Sequence, residues 1–451
     1  MAKQTNELAT TGVGRLMWKY FLPAFVGVMA NSLYNIVDRI FIGQGVGSIA
    51  LSGVSVVFPV MVIIMGFGML IGIGASVQIS LFLGKNQKDK AEQVLGNSVW
   101  LILISSAVVT AIGFLIKNPM LELFGATDET MGYANEYLNI ILAGVFFQML
   151  GFSLNSMIRA EGSARIAMYS MLLSAGANIL LDYLFIFHLN MGVKGAAYAT
   201  IIAMFILCIW VLAHFRSRRS VIQLKQCGMK LDKEIVLAII AIGMAPFIMQ
   251  IAASIVQGVY NLQLIKYGGD VAVAAMGIVM SVIVFILMIV VALNMAAQPI
   301  IGYNYGAKAY DRVVKSVKIG IVAATIISVA GWALVLLFPG AIVKAFNGED
   351  ADLLRIGKQG LQIFMIMLPI VGFQIIISNY FQSIGKAKIA TVLTLMRQVV
   401  FMLPAIFIFS NWFQLKGIWM AGPVSDTLSA VVVLIYTVIE WRRLKVKLAA
   451  S

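Results

Sequence analysis

The sequence predicts an all-α polytopic membrane protein of twelve transmembrane helices, arranged as two six-helix lobes that are parallel repeats of each other. Of its 451 residues, 61% are hydrophobic and only 12% are charged, and the mean hydropathy is +0.96. Soluble domains carry about a quarter charged residues, so these values place most of the chain in a bilayer. The chain begins with a polar stretch too long for a cleavable signal peptide, so we expect the first apolar helix to be retained.

Twelve apolar stretches reach the length of about 20 residues that one bilayer crossing needs, and we number them helices 1 to 12. Their predicted ranges are 15–41, 51–83, 94–116, 134–158, 166–187, 195–215, 235–265, 271–302, 316–338, 359–381, 389–410 and 417–440. With the N-terminus in the cytoplasm, the inward segments hold roughly three times as many Lys and Arg residues as the outward ones. The positive-inside rule therefore predicts a multi-pass protein of the plasma membrane, in bacteria the inner membrane, with both termini cytoplasmic.

The net charge of +14 has the same origin, and it predicts contact with anionic headgroups of the membrane lipid. Nucleic acid is not an expected partner, because no basic stretch is interleaved with aromatic residues that could stack on bases. No G-x-x-x-x-G-K-[ST] pattern occurs, so the chain is not expected to hydrolyse ATP. We expect no enzyme activity, no cofactor and no metal site beyond a possible Na⁺.

The chain contains an internal repeat, in which one six-helix segment is followed by a second copy. "LGKNQKDKAEQVL" at 83–95 matches "YGAKAYDRVVKSV" at 305–317, and "NSMIRAEGSARIAM" at 155–168 matches "SNYFQSIGKAKIAT" at 378–391, both about 223 residues apart. An even number of helices per copy gives both copies the same orientation, which predicts a pseudo-twofold axis along the membrane normal.

The repeat divides the chain into an N-lobe at 1–215, a basic cytoplasmic linker at 216–234 and a C-lobe at 235–451. Two such lobes suit alternating access to a central cavity, and they suit a channel or a receptor less well. One chain supplies both lobes, so a monomer suffices.

In helix 2, the glycines of "GFGMLIGIG" at 66–74 predict close helix–helix packing in preference to a dinucleotide-binding loop.

Nearly all of the 19 acidic residues lie in or next to predicted loops, and three, Asp38, Asp182 and Asp426, do not. Intramembrane acids are costly and are a functional-site hypothesis by default. On helix 1 a polar stripe with helical spacing ends at Asp38, and on helix 5 a second stripe ends at Asp182. The stripes are Asn31, Tyr34, Asn35 and Asp38, and Ser170, Ser174, Asn178 and Asp182.

Asp38, Asp182, Asn178 and Thr200 of helix 6 fall at a similar depth, in the outer half of the bilayer. Their oxygens suit a hard cation or a proton shared between two carboxyl groups. As an alternative, Asp38 pairs with Arg39 or extends to the outer surface. The second copy has Asn261 at the position of Asp38 and lacks both acids, which favours a functional role in the first copy.

Asp426 follows Pro423 on helix 12, where it either caps a helix segment or takes part in transport. Arg397 is the one cation deep in helix 11, and it either pairs with Asp426 or steers anionic parts of a substrate.

The whole chain resembles the MATE (multidrug and toxin extrusion) family, in its bacterial branch of DinF-like and MepA-like transporters. The resemblance rests on the duplicated lobes and on several motifs. These are "VDRIFIGQGVGSIALSGVS" (37–55), "LGKNQ" with "YGAK", "RAEGSAR" with "QSIGKAK", "NILLDYLFIF" (178–187) and "KGAAYAT" (194–200). The resemblance implies a V-shaped pair of lobes that exports bulky, mostly cationic aromatic drugs and toxins against an inward flow of H⁺ or Na⁺.

The resemblance also implies roles for single residues. The family's N-lobe cation site falls on Asp38, Asn178, Asp182 and Thr200, and the bending proline of helix 1 falls on Pro23. The remaining candidates for the substrate cavity or the helix 1 switch are Asn31, Tyr34, Asn35, Ser174, Gln257, Asn261, Arg397 and Asp426. Another branch of the family has acids in helices 7, 8 and 10, which are absent from those predicted helices here, so the N-lobe site is favoured.

Three other classes of protein are alternatives to a drug antiporter. A lipid-linked glycan flippase has a related fold and also lacks an ATPase site, but such proteins show a more cationic central cavity. A membrane receptor or scaffold predicts binding without flux. A major-facilitator transporter shares the two-times-six plan, but "GKNQKDKAEQ" after helix 2 lacks the Gly-x-x-x-Asp-Arg-x-Gly-Arg-Arg pattern expected there.

Overall fold

The computed structural model describes residues 7–225, 230–346 and 351–449, and it confirms the all-α fold. We number its membrane-spanning helices α1 to α12, in the order of the predicted helices. Large apolar side chains cover their outer surfaces, as Leu115 and Leu180 do with 81% and 72% of their area exposed. Such exposure is costly in water and ordinary in a bilayer, where lipid tails contact these side chains.

The bounds of the helices follow the predicted ranges within a few residues at most ends. They are α1 Val13–Gly45, α2 Ser48–Gly84, α3 Lys88–Leu123, α4 Asp128–Ala143 with Val145–Ala160, α5 Ala164–Tyr183, α6 Gly192–Arg216, α7 Lys233–Gly269, α8 Val271–Gly306, α9 Tyr310–Leu337, α10 Ala351–Phe364 with Leu368–Ser383, α11 from Ala387 to residue 413, and α12 from residue 415 to Ala449. A short helix, Pro339–Phe346, lies between α9 and α10. The two parts of α4 meet at 55° and those of α10 at 50°.

The last two helices run on without a loop, in one mostly apolar helical stretch of 58 residues, Ala387–Leu444. One straight helix of that length would measure about 87 Å, against a bilayer core of about 30 Å. The backbone leaves helical geometry at Gln414, with φ 52° and ψ −130°, and this break separates α11 from α12. A matching break at Gly269, with φ 65°, separates α7 from α8.

The duplication recurs in the backbone itself. Among the described residues, eight of the ten with positive φ form pairs that are 222 to 224 positions apart along the numbering. The pairs are Gly47 with Gly269, Asn86 with Lys308, Gly162 with Gly385, and Asn190 with Gln414. Positive φ is unfavourable for side chains with a Cβ, so its recurrence at Asn86 and Lys308 reflects a shared turn geometry. The two six-helix copies therefore share the positions of these backbone turns, which supports the repeat.

Contacts divide the described chain into two compact units that do not coincide with the copies. The first unit holds Trp18–Phe247 with the described residues before Val13, and the second holds Val13–Met17 and the chain from Ile248 onward. The start of α7 thus packs in the first unit, where Gly74 of α2 meets Ile239 and Gly243 meets Leu70. These contacts confirm the close packing predicted for the glycines of helix 2.

The predicted linker, 216–234, is bound to the first unit at both of its described ends, and residues 226–229 lie outside the described part. The carboxylate of Glu161 is fully buried and pairs with His214. It also accepts hydrogen bonds from the Ser220 hydroxyl at 2.7 Å and the Val221 amide at 3.0 Å. Further along, the Asn97 side chain bonds to the backbone of Lys230 and Asp232. The linker is therefore an integral part of this unit.

Replacing Glu161 with alanine is expected to destabilise the first unit strongly. The change leaves the amides of Val221 and Ile222 without their acceptor and His214 without its buried partner, at a cost of about 3 kcal/mol or more. A thermal melt of the purified protein in detergent should show a lower Tm. Glu129→Ala, at an exposed position, is the control. Equal melting of the two variants would contradict the role assigned to Glu161.

Candidate functional site

Two helices of the first unit, α1 and α5, lie close together on both sides of Asp38. A Cβ at Gly27 would come within 2.8 Å of the Met171 Sδ on α5, and one at Gly45 would overlap the side chain of Ile186, in the turn that directly follows α5. Glycine at these two positions lets the helices approach, and the approach brings Asp38 on α1 beside Asp182 on α5. Asp182 lies two residues before a π-helical turn, Leu184–His188, a distortion found often at functional sites.

The two acids are buried, with exposed fractions of 8% for Asp38 and 0% for Asp182. Their carboxyl groups face each other within hydrogen-bonding reach. Asn178, one turn before Asp182, is 1% exposed, and its amide lies 3.5 Å from the Thr200 hydroxyl of α6. The structure thus brings together the four residues that the sequence predicted for a cation site.

Oxygen atoms at this site lack hydrogen-bond donors. Asp38 Oδ1, both carboxylate oxygens of Asp182 and Asn178 Oδ1 are buried and accept no hydrogen bond from any residue that the structure describes. Buried polar atoms are nearly always paired, and orphaned oxygens are costly in a low dielectric. Two carboxyl groups that face each other can bond only through a proton held between them or through a bound cation. The site therefore has the chemistry of a cation receptor.

The pairing of Asp38 with Arg39 that the sequence left open does not occur. Arg39 is exposed, and its guanidinium lies over the ring of Phe58, 5.0 Å from the ring centroid. Among the residues described, Asp38 forms no ion pair with Arg39. At 8% exposure, Asp38 does not extend to the surface of the protein either.

Tyr137 of α4 also lies at this site, although no sequence pattern indicates it. It is 2% exposed, and its side chain faces Thr200 and lies near both carboxyl groups. A signal was available: Tyr137 lies just inside the outer end of predicted helix 4, at the depth estimated for the two acids. Tyrosine is common near membrane interfaces, so its presence there attracts no notice.

The other candidates of the first unit have varied surroundings. Tyr34 lies near Asp38 and Asp182. Asn35 is exposed, and its amide bonds to the Asn31 carbonyl at 2.7 Å, so it does not join the cation site. The Ser174 hydroxyl bonds to the Ala203 carbonyl at 3.1 Å. Pro23 is buried within the continuous helix α1.

The remaining candidates lie together in the second unit. Arg397 pairs with Asp426 at 2.7 Å, which confirms one of the two alternatives for Arg397. Asp426 lies inside the helical stretch Leu403–Ala449 and not at a helix start. Gln257 donates its amide to Asn261 at 3.2 Å. Gln257, Arg397 and Asp426 line one cavity of about 210 Å³.

Comparisons with known proteins agree over nearly the whole chain. The model of the MatE family matches residues 23–184 and 246–408. The multidrug export protein MepA of Staphylococcus saprophyticus is 27% identical over 445 residues, covering 98% of both chains. MepA of Staphylococcus aureus strain MSSA476 is 28% identical over 434 residues, covering 96% of this chain and 95% of that protein.

Solved structures with the same fold include two MATE transporters. A crystal structure of MATE in the bent conformation aligns with a TM-score of 0.92 at 26% identity, covering 99% of each chain. An outward-facing multidrug resistance MATE family transporter of the MOP superfamily aligns with a TM-score of 0.90 at 26% identity, covering 97% of this chain and 98% of its own.

Proposed function

The chain belongs to the MatE family, and from that membership we propose that it is a multidrug efflux transporter that works as a cation-coupled antiporter. Driven by H⁺ or Na⁺, it exports mostly cationic aromatic drugs and toxins across the plasma membrane by alternating access. The export role is supported by the staphylococcal relatives named multidrug export proteins. The coupling role is supported by one observation, the four buried oxygens without donors at Asp38, Asn178 and Asp182.

Charge repulsion explains how a cation can drive a change of shape at this site. Two carboxylates side by side in a low dielectric repel each other strongly, so without a cation the α1–α5 contact near Asp38 is disfavoured. A proton between them, or a Na⁺ that also binds Asn178 and Thr200, removes the repulsion and draws the helices together. Pro23, which interrupts the hydrogen bonding of α1, gives this helix a place to bend.

Antiport further requires that cation and drug prefer different conformations. A ligand shifts a conformational equilibrium only by its difference in affinity for the two states. In the proposed cycle the cation enters from outside and stabilises the α1–α5 contact in the state that releases the drug. Release of the cation to the cytoplasm restores the repulsion and the affinity for drug. Tyr34, which lies near both acids, is positioned to sense which state they are in.

Uptake into proteoliposomes tests this function. The purified protein is reconstituted, a fluorescent organic cation is supplied, and a pH gradient and a Na⁺ gradient are imposed separately. Flux under one gradient supports antiport and identifies the ion. Absence of flux under either gradient, together with movement of a lipid pyrophosphate across the bilayer, would replace antiport by the flippase alternative.

Tyr137 provides a further prediction for the same assay. Tyr137→Phe removes a hydroxyl that lies beside Thr200 and near both carboxyl groups, so we expect gradient-driven uptake to fall by roughly threefold to tenfold, the effect of losing one hydrogen bond of about 1 kcal/mol. The fold should persist, since the ring remains. Tyr133→Phe, at a 36% exposed position on the same helix, is the control. Equal uptake in the two variants would remove Tyr137 from the site.

A further inference from the structure

The second unit contains a cavity of about 210 Å³ between helices α7, α8, α10, α11 and α12. Most of its wall is apolar and easily reshaped, with Met280, Phe364, Met365 and Met402 among the lining residues. Methionine and phenylalanine are adaptable partners for aromatic rings. Its polar part includes the side chains of Arg397 and Asp426. A ligand in this cavity would thus meet an apolar wall and one charged pair.

The charged pair leaves much of the guanidinium free for a ligand. Arg397 donates through Nε to Asp426 Oδ1 at 2.7 Å, and 24% of its side chain remains exposed. A guanidinium carries five N–H donors, and the Nη groups of Arg397 have no hydrogen-bond acceptor in the described parts of the chain. These donors suit the planar, two-oxygen face of a carboxylate or sulfonate. The carboxylate of Asp426, 7% exposed, is already neutralised by Arg397 and offers little to a cation.

The internal repeat shows that this charge is not required by the packing. Arg397 corresponds to Ser174 in the first copy, 223 residues earlier. There the Ser174 hydroxyl bonds to Ala203 of the next helix, and in the second copy the Ser425 hydroxyl bonds to the Arg397 carbonyl at 2.7 Å. The same two helices are thus joined by a neutral hydrogen bond in both copies. The guanidinium and Asp426 are an addition specific to the second copy.

The local backbone also sets Arg397 apart. It lies in a π-helical turn, Met396–Met402, within α11. Such turns insert one residue into a helix, and they are frequent at functional sites because they redirect a side chain. Met402, the last residue of this turn, lines the cavity together with Arg397.

We propose that this cavity binds amphipathic organic anions, namely aromatic carboxylates or sulfonates whose anionic group bonds to the Nη groups of Arg397 while the ring packs against Phe364 and the neighbouring methionines. This inference goes beyond the export of cations, and binding does not depend on the coupling at Asp38 and Asp182. The two units then differ in the charge of the ligand they bind. The first unit binds cations through oxygen atoms, and the second binds anions through N–H donors.

A pair of dansyl probes tests the proposal. Dansylate is anionic, dansylamide is neutral, and both carry the same fluorescent two-ring body. Equilibrium binding is measured on the protein in lipid nanodiscs, after subtraction of the signal from empty nanodiscs. The wild-type protein should bind dansylate about tenfold more tightly than dansylamide, a difference of about 1.4 kcal/mol. Equal affinities for the two probes would overturn the proposal.

Variants locate the site and separate binding from folding. Arg397→Gln/Asp426→Asn replaces both charges by neutral amides, leaves no buried charge unpaired, and should abolish the preference for dansylate. Asp426→Asn alone frees the guanidinium from its ion pair and should raise the affinity for dansylate. If the Arg397–Asp426 pair served only the folded structure, this variant would bind dansylate no more tightly than the wild-type protein. Ala253→Phe, at an exposed position on the wall, should weaken both probes. A preference for dansylate that survives in the double variant would refute the role of Arg397.

Discussion

Replacing Asp38 or Asp182 with asparagine is expected to abolish gradient-driven export. Each substitution removes one of the two facing carboxylates, so the repulsion that a cation must neutralise disappears and the cation no longer changes the α1–α5 contact. Coupling energies between sites are about 1–3 kcal/mol, so loss of coupling should lower gradient-driven uptake of the fluorescent cation by about fivefold or more. Because asparagine has nearly the volume of aspartate and carries no charge, insertion and folding should be unaffected.

The matched control for these variants is Asp352→Asn. The Asp352 side chain is 71% exposed and pairs with Arg355 at the surface, so its loss should leave uptake unchanged. Binding of the drug without a gradient should persist in Asp38→Asn, since only the coupling is removed. If Asp38→Asn and Asp182→Asn both retained full uptake, the cation site would have to lie elsewhere. If only one retained it, the partner alone would bind the ion.

Gly243→Ala is expected to disrupt the first unit. A Cβ at this position would lie 2.5 Å from the Leu70 carbonyl carbon and closer still to its oxygen, whereas real Cβ atoms essentially never approach other atoms within 3.0 Å. The obstacle is backbone, which cannot rotate away as a side chain does, so α2 and α7 would have to move apart. We expect a loss of about 3 kcal/mol or more, the upper range for overpacking in a rigid contact. Size-exclusion profiles and thermal melts in detergent should show an aggregated or less stable protein.

The same helix offers an ideal control, because Gly258 on α7 has open space where its Cβ would be built. Gly258→Ala should leave stability unchanged or raise it by up to about 1 kcal/mol, as alanine favours the helix. Replacing glycine with alanine is thus expected to lower stability at position 243 and to leave it unchanged or raise it at position 258. Comparable losses in both variants would mean that glycine flexibility in α7, and not the contact with α2, is what stability requires.

Hydropathy and the internal repeat predicted the twelve helices and their approximate ends, because a bilayer imposes a length of about 20 apolar residues on each crossing. The sequence also indicated the acids of the candidate site, because a carboxylate inside an apolar helix is costly and its presence predicts a function. Tyr137 could not be identified in this way, because a tyrosine near the end of a membrane helix is common. Its place beside Thr200 depends on the packing of α4 against α6, which no local pattern records.

By itself, the sequence determined which segments span the membrane, that they form two copies, and that Asp38, Asn178, Asp182 and Thr200 were candidates for one cation site. Each of these follows from local composition or from comparing the chain with itself. The tertiary structure decided which side chains meet: Arg397 with Asp426, Glu161 with the linker, and Arg39 with Phe58 in place of Asp38. It also decided that α7 begins in the first unit and continues in the second. Such pairings depend on how helices approach and rotate, and these are set by contacts, such as Gly243 against Leu70, between residues far apart in the chain.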